Sequence, residues 1–293
     1  MKPLTLFLMT RRGYSLLCDI EERFGHLFEE IVIARDPQLD DDCFAAIASL
    51  CQSRGMRWRE RSARDGGVVT PYALAVGWRW MIDHQSTQLV VFHDSLLPRY
   101  RGFNPLVSCL INGEMQIGVT ALLGGARYDA GDVLAQSASS IEYPIKIADA
   151  IELVRADYKA TATEVLQRIE REEGLVGQPQ HDAAATYSLW RDEDDYRIAW
   201  GRSATWIARF VDAVGSPYKG ACSFVDGVLA RIDAAVALPD VRIENRTPGK
   251  VIWMEGTSPV VVCGEGLLKI TRLRADDTGA SMLPLKKFRS RFT

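Results

Sequence analysis

His93, which opens the run Asp94-Ser95-Leu96-Leu97-Pro98-Arg99-Tyr100-Arg101-Gly102, and Asp129, inside Tyr128-Asp129-Ala130-Gly131-Asp132, are the two residues whose types and spacing could do chemistry together. A histidine and an aspartate on facing turns form an acid–base couple. The carboxylate orients the imidazole and one of the two moves a proton, as an acyl-type transfer requires. Leu89-Val90-Val91-Phe92 is a short continuous apolar run rich in β-branched residues, read as a buried strand that ends where His93 begins. His93 then sits at the carboxyl end of a strand, where open α/β sheets collect ligands.

The flanking sequence supplies the elements that would position this pair. Strands are expected over 4–9, 31–34 and 72–77, an amphipathic helix over 41–54, a short helix over 104–112 closed by Gly113, and strands over 116–123 and 133–143. Over 145–172, Ile147, Ile151, Val154, Tyr158, Ala162, Val165 and Ile169 recur at spacings of three and four, making one long helix or two. This alternation predicts a mostly parallel, Rossmann-like α/β sheet with helices. No Gly-x-Gly-x-x-Gly follows the first strand, so the turn that admits a dinucleotide pyrophosphate is missing. Residues 173–185 are rich in Gly, Gln, Pro and Ala and mark a boundary between a catalytic domain over 1–185 and a smaller domain over 186–293. The second domain reads as one helix over 204–214 and short strands over 221–224, 228–232, 250–253, 260–263 and 267–271, a small open β-barrel.

The segments 92–105, 113–120 and 129–131 resemble, in order and spacing, the signature of the formyltransferases that use 10-formyltetrahydrofolate: roughly Asn-x-His-Pro-Ser-Leu-Leu-Pro, a Gly-Val-Thr strand, and Asp-x-Gly. Thr186-Tyr187-Ser188-Leu189-Trp190-Arg191-Asp192 is similar to the junction leading into the small carboxyl-terminal domain of the methionyl-tRNA and sugar-amine enzymes. The resemblance implies an open oligonucleotide-type barrel and a site that stabilises a developing oxyanion while it removes a proton from an amine. His93 would donate to the oxygen, and Asp129 would orient the ring and take the amine proton, directly or through a water. It also implies that the pterin lies against Trp80, Met81 and Ile82, with Gly125 and Tyr128 on the second wall, a flat heterocycle in an apolar slot.

Two departures stand out. The family's asparagine two positions before the histidine is Val91 here, which cannot donate, and the loss of one oxyanion donor typically costs about 10² to 10³ in rate. Asn104 is a replacement donor or, followed by Pro105, a helix amino-terminal cap. Asp94 stands where the motif has proline, as a turn residue or an influence on the charge of His93. Ser95 is expected to bond the loop backbone, since no second histidine is placed to activate it. Arg99 and Arg101 belong either to a solvated loop or to phosphate recognition by a guanidinium fork, with Asn104 beside them on the substrate side.

Composition sets the wider bounds. The chain has 293 residues, 47% hydrophobic and 25% charged, enough for two cored domains. No apolar run reaches the roughly 20 residues a membrane helix needs. The basic-then-apolar first ten residues read as a strand and not a signal peptide, so a cytoplasmic protein is expected. The six cysteines are scattered with no Cys-x-x-Cys, and no metal site is expected. A net charge of −3 argues against a broad nucleic-acid surface, although Lys286, Lys287, Arg289 and Arg291 form a basic run.

The reading is therefore a one-carbon transferase that moves a formyl group from 10-formyltetrahydrofolate to a primary amine, foremost on a nucleotide-linked amino sugar. The family's sugar enzymes imply a homodimer. Methionyl-tRNA and a hydroxylated ornithine are the other acceptors, and a formyl hydrolase and a catalytically silent folate binder are the readings outside the transferase class.

Overall fold

In the computed structural model, which describes residues 2–36, 42–62, 67–84 and 86–293, the chain divides into two compact units. One comprises 1–105, 116–139 and 152–188, and the other 106–115, 140–151 and 189–293.

The first unit is built on β1 (Leu4–Leu8), α1 (Thr10–Phe24), β2 (Phe28–Ile33), α2 (Phe44–Ser53), β3 (Trp58–Glu60), β4 (Tyr72–Val76), β5 (Gln88–His93), β6 (Arg101–Gly102), α3 (Pro105–Asn112), β7 (Gln116–Leu123), β8 (Val133–Ser140), α4 (Ile147–Glu170) and β9 (Tyr187–Ser188). The helix α3 and the start of α4 fall to the second unit. Seven strands form one sheet in the order β3-β2-β1-β4-β5-β7-β8. The strands from β3 to β5 run parallel, and β7 runs antiparallel to β5. Every residue of β1, Leu-Thr-Leu-Phe-Leu, is buried, as a central parallel strand covered on both faces requires. Each such aliphatic side chain removed from water contributes about 1.5–3 kcal/mol.

Sequence periodicity missed α1. Met9 gives it no side-chain cap, its first turn carries no acid, and Arg11 and Arg12 stand where the helix dipole favours anions. Its apolar face, Leu16, Leu17, Ile20 and Phe24, forms the helix by burial instead. The helix expected over 41–54 begins at Phe44, because Asp42 accepts from Phe44 N at 3.0 Å and Cys43 turns left-handed; residue 41 lies outside the described residues. The strand expected over 133–143 stops at Ser140, where Ile141 N turns to Met115 O. The pattern over 145–172 is one helix, with Val154, Tyr158, Ala162, Val165 and Ile169 buried.

Between β4 and β5 no helix forms among the described residues. The non-helical segment lays Trp78 and Ile82, with Val68, on a sheet face made of Phe7, Val32, Ala73, Ala75 and Leu89. The connection that would ordinarily be a crossover helix is here the wall of a slot.

The second unit carries α5 (Ala204–Ala213) and the strands β10 (Ala221–Val225), β11 (Val228–Leu238), β12 (Val251–Glu255), β13 (Ser258–Val262) and β14 (Leu267–Ala275). Ser203 caps α5 by accepting from Trp206 N. The strands form an antiparallel sheet in the order β10-β11-β14-β13-β12. Asp226 and Gly227, both at positive φ, make the tight β10–β11 turn. Residues 290–293 lie between the two edges: Phe224 and Thr293 exchange backbone bonds, and Phe292 N donates to Gly249 O. The sheet thereby curls on itself as the barrel pattern implied.

Candidate active site

His93 is the last residue of β5 and lies opposite Thr120 of β7 in the antiparallel register. Its side chain is 8% exposed, and both ring nitrogens face oxygens. Nε2 lies 2.8 Å from Tyr100 O and Nδ1 lies 3.5 Å from Asp129 Oδ1. A carbonyl can only accept, so Nε2–H donates to Tyr100 and Nδ1 is left to face the carboxylate.

The loop after β5 is fixed from two sides. Thr120 Oγ1 donates to Ser95 O at 2.6 Å and accepts from Leu97 N and Gln136 Nε2. This gives the threonine of the Gly-Val-Thr strand a physical role. Ser95 Oγ donates to Arg99 O, the loop-backbone role expected of it. On the other side β6 pairs with β9: Arg101 N donates to Thr186 O at 2.9 Å and Phe103 N to Ser188 O at 3.1 Å. Gly102 has φ +99°, and a Cβ there would stand 2.5 Å from Ser188 O, so this close pairing needs glycine.

Asp129 also holds a left-handed conformation, φ +52°. Its Oδ2 accepts from Gly102 N at 2.9 Å, which carries the carboxylate across to the His93 loop. Two residues on, a Cβ on Gly131 would fall inside the contact shell of Leu123 O.

Asp94 sits in the bend after β5, where Ser95 N donates to His93 O at 2.9 Å as a turn residue would require, and its side chain goes to partners outside the loop. It is buried, with Oδ2 2.6 Å from Arg12 Nη2 and Oδ1 accepting from the Tyr158 hydroxyl. Burial first, and then the Asp94 charge, push the Tyr158 hydroxyl pKa well up from its ordinary value.

The pair opens on a cavity of about 260 Å³. Trp80, Met81, Ile82, Gly125 and Tyr128 line it together with His93 and Asp129. Val91 also lines it, on the strand of His93. Arg61 stacks over the Trp80 ring at 4.3 Å. Trp78 Nε1 is a buried donor with no hydrogen-bond partner among the described residues, and apolar walls with a few such polar groups suit a flat heterocycle with a polar edge.

The three residues expected on the substrate side do not line this cavity. Arg99 is exposed on the loop, its Nη2 3.3 Å from the Tyr100 hydroxyl. Arg101 is 1% exposed, its guanidinium bonded to Gln180 and Asp182. Asn104 is half-buried with φ +48° directly before α3. Sequence reasoning passed over Trp78, Phe103 and Arg127, which do line the cavity. Phe103 lies inside the 92–105 segment, Trp78 two residues before Trp80 and Arg127 directly before Tyr128, so nearness to those residues was the signal available. Among the described residues no group of three His, Cys, Asp or Glu side chains is placed to hold a metal ion, and no helix is long and apolar enough to cross a membrane.

Residues 65–168 match the family described as Formyl transferase, and residues 191–288 match Formyl transferase, C-terminal domain. A methionyl-tRNA formyltransferase of Ralstonia nicotianae is 29% identical over 225 residues, covering 75% of this chain and 66% of that protein. One of Gluconobacter oxydans is 31% identical over 224 residues, covering 76% and 69%. The chain thus spans about two thirds of the length of these relatives. An N-formyltransferase from Helicobacter canadensis, solved with folinic acid and dTDP-3-aminofucose, superposes with a TM-score of 0.70 at 13% identity, over 92% of this chain and 98% of that one.

Proposed function

The chain belongs to the formyl transferase family, and from that premise we propose that it moves a formyl group from 10-formyltetrahydrofolate to a primary amine carried by a nucleotide-linked amino sugar. The observation that carries the reading is the His93–Asp129 couple at one end of an apolar slot.

The co-substrate brings a formyl group already activated on nitrogen, and Trp80, Met81, Ile82, Gly125 and Tyr128 are the residues that would hold its ring. The chain's own groups divide the remaining work. Asp129 keeps Oδ2 on the Gly102 N–H and leaves Oδ1 for the proton of the attacking amine. His93, anchored through Nε2–H on Tyr100 O, can donate to the oxygen on which charge develops only as the imidazolium, with a second proton on Nδ1 facing Asp129. Val91 adds no donor there, so His93 acts without the second side chain that the family signature places on this strand.

For the acceptor, Arg99 is an exposed guanidinium on the same loop, suited to a phosphate. The second reading, a methionyl-tRNA acceptor, is favoured by the names of the sequence relatives. Against it, Lys219, Arg231, Arg246, Arg274 and Lys287 are each paired with a carboxylate, whereas a nucleic-acid footprint uses cations to displace counterions from phosphates. An acceptor screen with 10-formyltetrahydrofolate, reading released tetrahydrofolate and the added formyl mass, tests the proposal. Turnover on an amino-sugar nucleotide that vanishes in His93→Ala supports it. Turnover on methionyl-tRNA alone overturns the acceptor, and no turnover on any amine overturns the activity.

A further inference from the structure

We infer that Gln180, backed by Arg101, is the positioning residue of the Asp129 turn; only its effect on turnover rests on the formyl-transfer reading. The Gln180 amide is fully used. Nε2 donates to Asp129 O at 2.9 Å and to Gly131 O at 2.7 Å, while Oε1 accepts from Arg101 Nε at 3.1 Å and Nη2 at 2.8 Å. One side chain therefore holds the carbonyls on both sides of Ala130, within the turn that carries the carboxylate.

The turn needs such a clamp. Asp129 sits at φ +52°, a conformation that an L-residue keeps only where its surroundings over-determine it. The strand after the turn is tied to the same segment, since Val133 and Gln178 exchange N–H···O bonds at 2.8 Å each. That pairing sets the register that delivers Gln180 to the turn.

Arg101 orients the amide. A guanidinium cannot accept, so the Gln180 oxygen must face it and the NH₂ must face the carbonyls. Arg101 is fixed in turn by Asp182 Oδ1 at 3.0 Å, and Asp182 Oδ2 receives Arg127. The buried arginine of the signature loop thus serves the aspartate, through the stretch of chain that composition alone marks as a linker. A glutamine at the other end of that chemistry, supplying two N–H donors and an acceptor from one planar group, is the residue type the arrangement requires.

Gln180→Glu is the discriminating variant, because it keeps size and the Arg101 contact but removes both N–H donors. Hydrogen exchange of the peptide covering 126–134 should quicken at least about tenfold in Gln180→Glu and Gln180→Ala while the rest of the sheet is unchanged. Folinic acid affinity, read by tryptophan fluorescence, should fall by no more than about tenfold, since the loosened peptide carries only the Tyr128 wall of the slot while Trp80, Met81 and Ile82 stay in place. On the acceptor found in the screen, kcat should fall about 10²-fold, well beyond any rise in KM for 10-formyltetrahydrofolate. The Gln180→Glu deficit should shrink as pH falls, because a protonated glutamate regains one donor. Gln180→Glu with parental exchange and parental kcat overturns the inference. A parent that turns over no acceptor counts against the formyl-transfer reading alone, and the exchange result then decides positioning by itself.

Discussion

The Asp129 carboxylate accepts the backbone N–H of Gly102 at 2.9 Å through Oδ2. With that oxygen fixed, Oδ1 is the one presented to His93 Nδ1, 3.5 Å away. At this separation the two attract as an ion pair when the ring is protonated, and the carboxylate oxygen stays open to a substrate proton.

Asp129→Asn keeps the shape and an acceptor for Gly102 but loses the base. Its kcat should drop by about 10² to 10⁴ while folinic acid binding is retained. Steady-state kinetics beside a fluorescence titration check this, and a variant within a few-fold of parental kcat would remove Asp129 from proton transfer.

Val91→Asn would place an amide on the strand that ends in His93, in a half-buried position lining the cavity. Since removal of one oxyanion donor typically costs about 10² to 10³, a gain of about tenfold or more in kcat is expected. An unchanged or lower kcat, with the fold intact by circular dichroism, would mean that oxygen charge develops elsewhere in the slot.

Gly131→Ala should lose about 3 kcal/mol of stability, because the obstruction is a backbone carbonyl of β7 and not a side chain that can swing away. Urea unfolding of the variant against the parent measures it.

Tyr158 makes stability alkaline-sensitive. Its pKa is raised from 10.0 in the folded state, so the native protein holds a proton that the unfolded chain releases above that value. The contribution is complete below pH 10 and is lost as pH rises beyond it. Tyr143, pushed up to about 12, and Cys51, to about 11, act in the same direction. The stability advantage of the parent over Tyr158→Phe should therefore be flat up to about pH 10 and narrow above it in urea titrations. A constant difference would show that the Tyr158–Asp94 contact does not titrate with unfolding.

What the sequence made legible was whatever has a local pattern. The strand into His93, the β7 bounds and the one-face repeat of α4 follow from periodicity. The His93–Asp129 couple was legible because both residues lie in motifs. Arg101, Gln180 and Asp94 were not, since their partners are far along the chain: Gln180 lies 79 residues from Arg101 and Tyr158 lies 64 from Asp94. A buried arginine and an exposed one look alike in a loop sequence, and only tertiary pairing separates Arg101 from Arg99.

The two-residue pairing of β6 with β9 joins Arg101–Gly102 to Tyr187–Ser188. The last strand of the seven-stranded sheet ends at residue 140, but the loop that presents Tyr100 O to His93 has its second edge only when the chain through Ser188 is in place. Such a distant contact bears a loop-closure cost that local elements do not. During synthesis every strand of the scaffold is therefore made well before the segment that completes the loop beside His93, so the catalytic geometry waits on the last stretch of the first unit.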